Sequence, residues 1–221
     1  AFADCASLTE VVLPTSLTTI HSAAFANDTA LLSIGRPFPK QQVEDHTFAN
    51  CWSLNDIDLS NVVGKIGRHA FSLCRSMTDI SIPEGVESIG DSAFFYCGAT
   101  SLHLPSNLGS IGRGAFQGMP ITSVEIPNTI HTLPYFAFAF THLKHVSIPS
   151  SVTVMESSCF ECCYELESID IPSTVTSFGH AVFANCPSFR YINYGGTIEQ
   201  WNSIEKDDRW YKGTWHYTPL T

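Results

Sequence analysis

Residues Ala70 to Gly90 read AFSLCRSMTDISIPEGVESIG, and each part of this stretch has a physical meaning. Ile80 and Ile82 flank a polar residue, the period of two that buries one face of a short strand. Pro83 follows directly; it has no N–H to donate and ends the strand. Ile89 is a further apolar anchor, and Gly90 after it suits a tight turn. Ala70-Phe71-x-x-Cys74 opens the return side of the unit, where the pattern predicts a helical turn. A unit this small cannot bury its own apolar side chains, so it must stack on copies of itself.

The copies are present on both sides. Phenylalanine recurs at Phe2, Phe25, Phe48, Phe71, Phe94, Phe116, Phe138, Phe160 and Phe183, at intervals of 23, 23, 23, 23, 22, 22, 22 and 23. Alanine precedes it at Ala1, Ala24, Ala93, Ala115 and Ala137, and cysteine follows three residues later at Cys5, Cys51, Cys97, Cys163 and Cys186. The strand-and-proline signature returns as Val11-x-Leu13-Pro14, Leu102-x-Leu104-Pro105, Val124-x-Ile126-Pro127, Val146-x-Ile148-Pro149 and Ile169-x-Ile171-Pro172. A period of 22–23 residues with one strand per unit excludes the longer helical repeats and the propeller blade, and fits a leucine-rich repeat. Nine such rungs at strand spacing make a stack roughly 40 Å long. Two units depart from the pattern: the second has Asp28 in the cysteine slot and Arg36-Pro37 where its strand should close, and the third has Ser60 in place of proline.

The pattern Ala-Phe-x-x-Cys-x-x-Leu-x-x-Ile-x-Ile-Pro-x-x-Val-x-x-Ile-Gly closely resembles the BspA-like (Treponema pallidum-type) leucine-rich repeats. The segment Tyr194-Gly195-Gly196-Thr197, followed by Trp201-Asn202-Ser203-Ile204 and Trp210, resembles the closing segment of such arrays in gut bacteria. The resemblance implies a right-handed α/β-type repeat solenoid with a parallel sheet on its concave face and turns or short helices opposite. It implies an exported protein, extracellular or on the cell surface, that mediates protein–protein interaction or adhesion to host matrix or cells. The alternative is a structural spacer presenting other domains of a longer chain. No shared catalytic residues come with the family, so the chain is read as a non-enzyme without a cofactor. The expected organisation is a repeat array over 1–194, continuing upstream, and a capping segment over 195–221 that covers the last rung with Trp201 and Ile204.

Composition agrees with this picture. The chain is 44% hydrophobic and 14% charged, enough apolar matter for a core. A net charge of −10 argues against nucleic acid and anionic membrane surfaces as partners. No apolar run is long enough to span a membrane. The eight cysteines follow the repeat, so they read as a column of small buried thiols. Disulfides between adjacent rungs, or a zinc half-site at Cys159-x-x-Cys162-Cys163, are the alternatives; the second zinc half-site is missing.

Side-chain alternation lists the outward residues of each strand. They form a polar, mildly acidic face: Asp56, Asp58, Asp79, His103, Glu125, His145 and Asp170 are its candidate ligand-binding residues. Asp56, Asp58 and Asp79 are expected to cluster on adjacent rungs, either as an ordinary solvated acidic sheet face or as a site for a basic partner or calcium. His103 and His145, two rungs apart, are too distant to share a metal. No nucleophile elbow, His-Glu-x-x-His or phosphate loop occurs.

Overall fold

The computed structural model describes residues 1–35 and 38–211. The irregular Arg36-Pro37 pair and Trp215 of the closing segment lie outside the described residues. In chain order the elements are β1 (Glu10–Val12), β2 (Ser33–Gly35), β3 (Gly64–Ile66), β4 (Asp79–Ser81), β5 (Val86–Ile89), β6 (Ser101–His103), β7 (Ser110–Ile111), β8 (Thr132–Leu133), β9 (His145–Ser147), β10 (Val154–Met155), β11 (Ser168–Ile171), β12 (Ser177–Phe178), β13 (Tyr191–Tyr194), α1 (Ile198–Ser203) and β14 (Glu205–Lys206). All the strand pairs are parallel, as the stacking of like units demands.

Three ladders build the stack, and two of them are interrupted along it. The first is the sheet that the Ile-x-Ile pattern predicts. It holds β1-β2, β4-β6 and β9-β11-β13, with partners one repeat apart, such as Ile80↔Leu102 and Ile169↔Ile192. The second ladder, β3-β5-β7 and β8-β10-β12-β14, stands where sequence suggested only a tight turn. It aligns Ile66, Ile89 and Ile111, then Leu133, Met155 and Phe178, each facing the core.

The third ladder is built from turns. In the rungs from Phe25 to Phe160 the amides two before, at, and two after the phenylalanine donate to carbonyls of the next rung. Ala23, Phe25 and Asn27 thus donate to Asp45, Thr47 and Ala49 at 3.0, 2.9 and 2.8 Å. The outer two donors sit at positive φ, as in His46 and Asn50, His69 and Leu73, or Ser92 and Tyr96. Left-handed residues so placed cannot belong to an α-helix. The expected helical turn at Ala-Phe-x-x-Cys is therefore a flat hydrogen-bonded arch, and the one α-helix among the described residues is α1.

The core lies between the ladders. The nine phenylalanine rings form a continuous stack, with centroids 5.3–6.0 Å apart and planes within 19° of each other. All but Phe2, which is 43% exposed on the first rung, are buried. Cysteine suits the slot beside the ring because it is small and can donate weakly. Cys51, Cys74, Cys163 and Cys186 each direct Sγ to the carbonyl of the phenylalanine one rung back, at 3.0–3.2 Å.

Two features shape the stack further. Both sheets break at the same step: β6 does not pair with the 123–125 segment, nor β7 with β8. Pro120 in the far rung has no N–H to give, but Pro187 holds the equivalent position beside the fully paired β11 and β13, so the break is not set by proline alone. Only the turn ladder crosses this seam intact, through Phe94→Ala115 and Tyr96→Gln117 amide-to-carbonyl bonds, both 2.8 Å. At the far end, α1 opens with a reciprocal box in which Thr197 caps Gln200 and Gln200 reaches back to Thr197. Trp201 and Ile204 are buried. Ala181 and Phe183 hand their amides to Arg209 and Trp210, so residues 205–210 serve as an abbreviated last rung.

Candidate functional site

The first ladder carries the predicted face. Strand alternation is clean in β4 and β9, where the central residue is buried and both flanking residues are exposed. The outward side chains are tied to one another across the rungs. The Ser101 hydroxyl donates to the Asp79 carboxylate. His145 is the centre of a larger group: Nδ1 lies 2.8 Å from Ser168 Oγ and Nε2 lies 3.1 Å from Asp170 Oδ2. Asn193 Nδ2 donates to the other oxygen of Asp170 at 2.7 Å. Three successive strands thus hold a fixed row of donors and acceptors at the surface.

The acidic end is arranged differently from the expectation. The third rung does not form a full strand; it joins the ladder through a single Ser33↔Asp56 bridge. Ser60, standing where proline is usual, uses its N–H to bind Asp58 Oδ1 at 3.1 Å. That draws the half-buried Asp58 back toward its own loop, while Asp56 and Asp79 are exposed. Among the described residues no three His, Cys, Asp or Glu side chains are placed to hold a metal ion together. His103 and Glu125 stand at the seam. There the lapse in pairing opens a crevice of about 420 Å³, lined by Thr100 to Leu104 and Thr122 to Glu125. Sequence named both residues but gave no sign of the crevice, because Val124-x-Ile126-Pro127 keeps the strand motif although the segment does not pair with β6.

Ser168, His145 and Asp170 have the composition of a hydrolytic triad, yet their setting supplies little else. His145 is half-exposed, and no cleft excludes water from it. Strand β11 is paired on both sides, so its amides serve the ladder rather than an oxyanion.

The cysteines are all unpaired thiols. Burial pushes Cys51 and Cys97 up to about 12 and Cys74 well above its ordinary value. Cys186 is also raised, by its hydrogen bond with Cys163 and by burial. Burial and a raised pKa make these thiols poor nucleophiles and fit them to the core column. Asp28, the substitute in the same column, is buried; Oδ1 accepts the Cys5 N–H at 2.8 Å and Oδ2 has no hydrogen-bond partner.

Repeats of this length, composition and stacking match one described type, the BspA type leucine-rich repeat region, in six copies over residues 1–118 and 87–204. This chain belongs to the BspA-type leucine-rich repeat family. Solved structures share the fold of these BspA-type repeats. A leucine-rich repeat protein from Bacteroides ovatus is 25% identical with a TM-score of 0.50, over 85% of this chain and 64% of that one. A leucine-rich cell surface protein from Faecalibacterium prausnitzii is 23% identical, with a TM-score of 0.44, over 91% of this chain and 83% of that one. The leucine-rich repeat protein of T. pallidum is 22% identical with a TM-score of 0.43, over 83% and 68% of the two chains. No curated protein matches the chain. Among the described residues no helix is long and apolar enough to cross a membrane.

Proposed function

We propose that this BspA-type chain is a non-enzymatic, extracellular or cell-surface binding module that takes a protein ligand on the concave face of its first ladder, as in adhesion to host matrix or cells. The observation that supports it is the pre-ordered polar row along that face. Side chains already fixed by Asp79–Ser101, His145–Ser168, His145–Asp170 and Asn193–Asp170 contacts lose little entropy when a partner docks. The binding strip runs from Asp56, Asp58 and Asp79 past His103 and Glu125 to His145 and Asp170. The array over 1–194 presents the strip, and the segment over 195–221 closes the last rung.

The test is binding of the purified chain to immobilised matrix proteins and to epithelial cells, with and without calcium. Two variants run beside it, Asp56→Lys/Asp58→Lys/Asp79→Lys and His145→Ala/Asp170→Lys. Saturable binding lost in either variant supports the reading and locates the ligand on one half of the face. A well-folded monomer that binds nothing overturns it in favour of a spacer role.

A further inference from the structure

The turn side carries a second surface, separate from the concave face. The residue two before each phenylalanine is left-handed in every rung from the second onward. It is Ala23, His46, His69, Ser92, Phe136, Ser158 or Ala181, and in one rung Gly114 at φ 59°. Since seven side chains accept this backbone, glycine is not needed there for its conformation. What it contributes is space. Between Ser92 and Phe136 the missing side chain leaves a pocket of about 250 Å³, lined also by Arg68, Asp91, Arg113, Gln117 and Tyr135.

We propose that this pocket binds an acidic sugar, a pyranose ring that carries a carboxylate. Arg68 and Arg113 are two of only 11 basic Lys and Arg residues in a chain of net charge −10, yet they converge on one pocket. Neither guanidinium forms an ion pair or hydrogen bond among the described residues. Arg113 stacks over the Tyr135 ring at 5.1 Å, which fixes the plane of its donors for a bidentate acceptor. Asp91 Oδ1 is already committed to the Arg113 backbone N–H at 2.8 Å. The two guanidinium groups and one carboxylate leave a single net positive charge, matched to a carboxylate rather than to a doubly charged phosphate. The second Asp91 oxygen, the Ser92 hydroxyl and the Gln117 amide suit ring hydroxyls. Phe136, edge-on to Tyr135 at 4.3 Å, supplies an apolar wall for the ring face.

The experiment is a titration of isotope-labelled protein with N-acetylneuraminic acid, D-glucuronic acid, neutral D-glucose and inorganic sulfate, followed by amide and guanidinium chemical shifts. Saturable shifts at Ser92, Arg113 and Gly114 are expected with one or both acidic sugars, and whichever acts identifies the source. Glucose and sulfate are expected to leave these signals in place. Gly114→Ser should narrow the pocket without unfolding the rung, because Ser92 and Ser158 hold the same conformation and an added Cβ would meet only side-chain atoms, Gln117 Oε1 at 3.1 Å, Ser92 Oγ at 3.6 Å and Gln117 Cβ at 3.9 Å. That variant and Arg113→Gln should bind at least roughly tenfold more weakly, the scale of one lost charge-assisted hydrogen bond. Shifts as large with glucose or sulfate, acid-sugar shifts that persist in a folded Gly114→Ser protein, or no shifts with either acid would each overturn the proposal.

Discussion

Single side chains in this protein act through their column. Phe94 is buried between Phe71 and Phe116, with ring centroids at 5.3 and 5.9 Å, so Phe94→Ala removes two ring contacts and leaves a cavity. The expected loss is about 3–5 kcal/mol, read by chemical denaturation. Asp28 offers the opposite case. Burial raises its pKa, so the folded state holds a proton more tightly than the unfolded one. Stability therefore falls as pH rises from the ordinary carboxylate range through the raised folded value, and the penalty persists at neutral pH. Asp28→Asn keeps an acceptor for Cys5 and removes the charge; it should raise Tm at pH 7, with the gain shrinking in acid. An unchanged or lower Tm at pH 7 would show that Oδ2 is not a burden. Phenylalanine and cysteine were legible because each recurs at a fixed interval. Asp28 was legible only as a misfit, since its cost depends on depth of burial.

At the scale of elements, the sequence announced one ladder of three. The Ile-x-Ile strands have alternation long enough to read. The second ladder is made largely of pairs such as Ser110–Ile111 and Thr132–Leu133, too short to show any period. The turn ladder is hidden for a different reason. Glycine or asparagine, which usually marks such backbone, stands at only some of its left-handed positions (Asn27, Asn50, Gly114, Gly118 and Asn185), and Ala, His, Leu, Tyr, Phe, Ser, Cys or Asp at the others. Rung-to-rung hydrogen bonds impose that conformation, and no residue states it alone. Gly98 is a true exception, since an added Cβ would lie 1.9 Å from the Arg75 carbonyl oxygen. Gly98→Ala should lower Tm clearly, whereas Gly109→Ala, with nothing nearer than 3.3 Å, should change it little. In the closing segment Trp201 and Ile204 were legible as the pair that covers the last rung, and both are buried. Thr197→Ala removes the cap of α1 and should cost about 1 kcal/mol. The loss should appear as faster amide exchange in α1 and β14.

The whole molecule is two stacks joined at a seam. The candidate face shares this division: Asp56, Asp58, Asp79 and His103 lie on one side, Glu125, His145 and Asp170 on the other. Their order along the face was readable from alternation, but the seam was not, because Val124-x-Ile126-Pro127 and Leu133 keep the repeat motif on its far side although neither segment pairs across it. At the seam the amides of Ser123 to Glu125 should exchange with solvent faster than those of β11, which is paired on both sides. Equal protection in the two places would show that the sheet is continuous across this step. The seam also has a mechanical meaning. A solenoid pulled from its two ends is as strong as its weakest step. At every other step with fully formed strands, tension is shared by sheet and arch together, while here the arch carries it with only the Thr129 hydroxyl on the Leu108 carbonyl and the Phe94–Phe116 contact beside it. Under load the molecule would give way first in its middle, parting into two blocks that each keep their internal bonds, and so behave as a rod with one compliant joint.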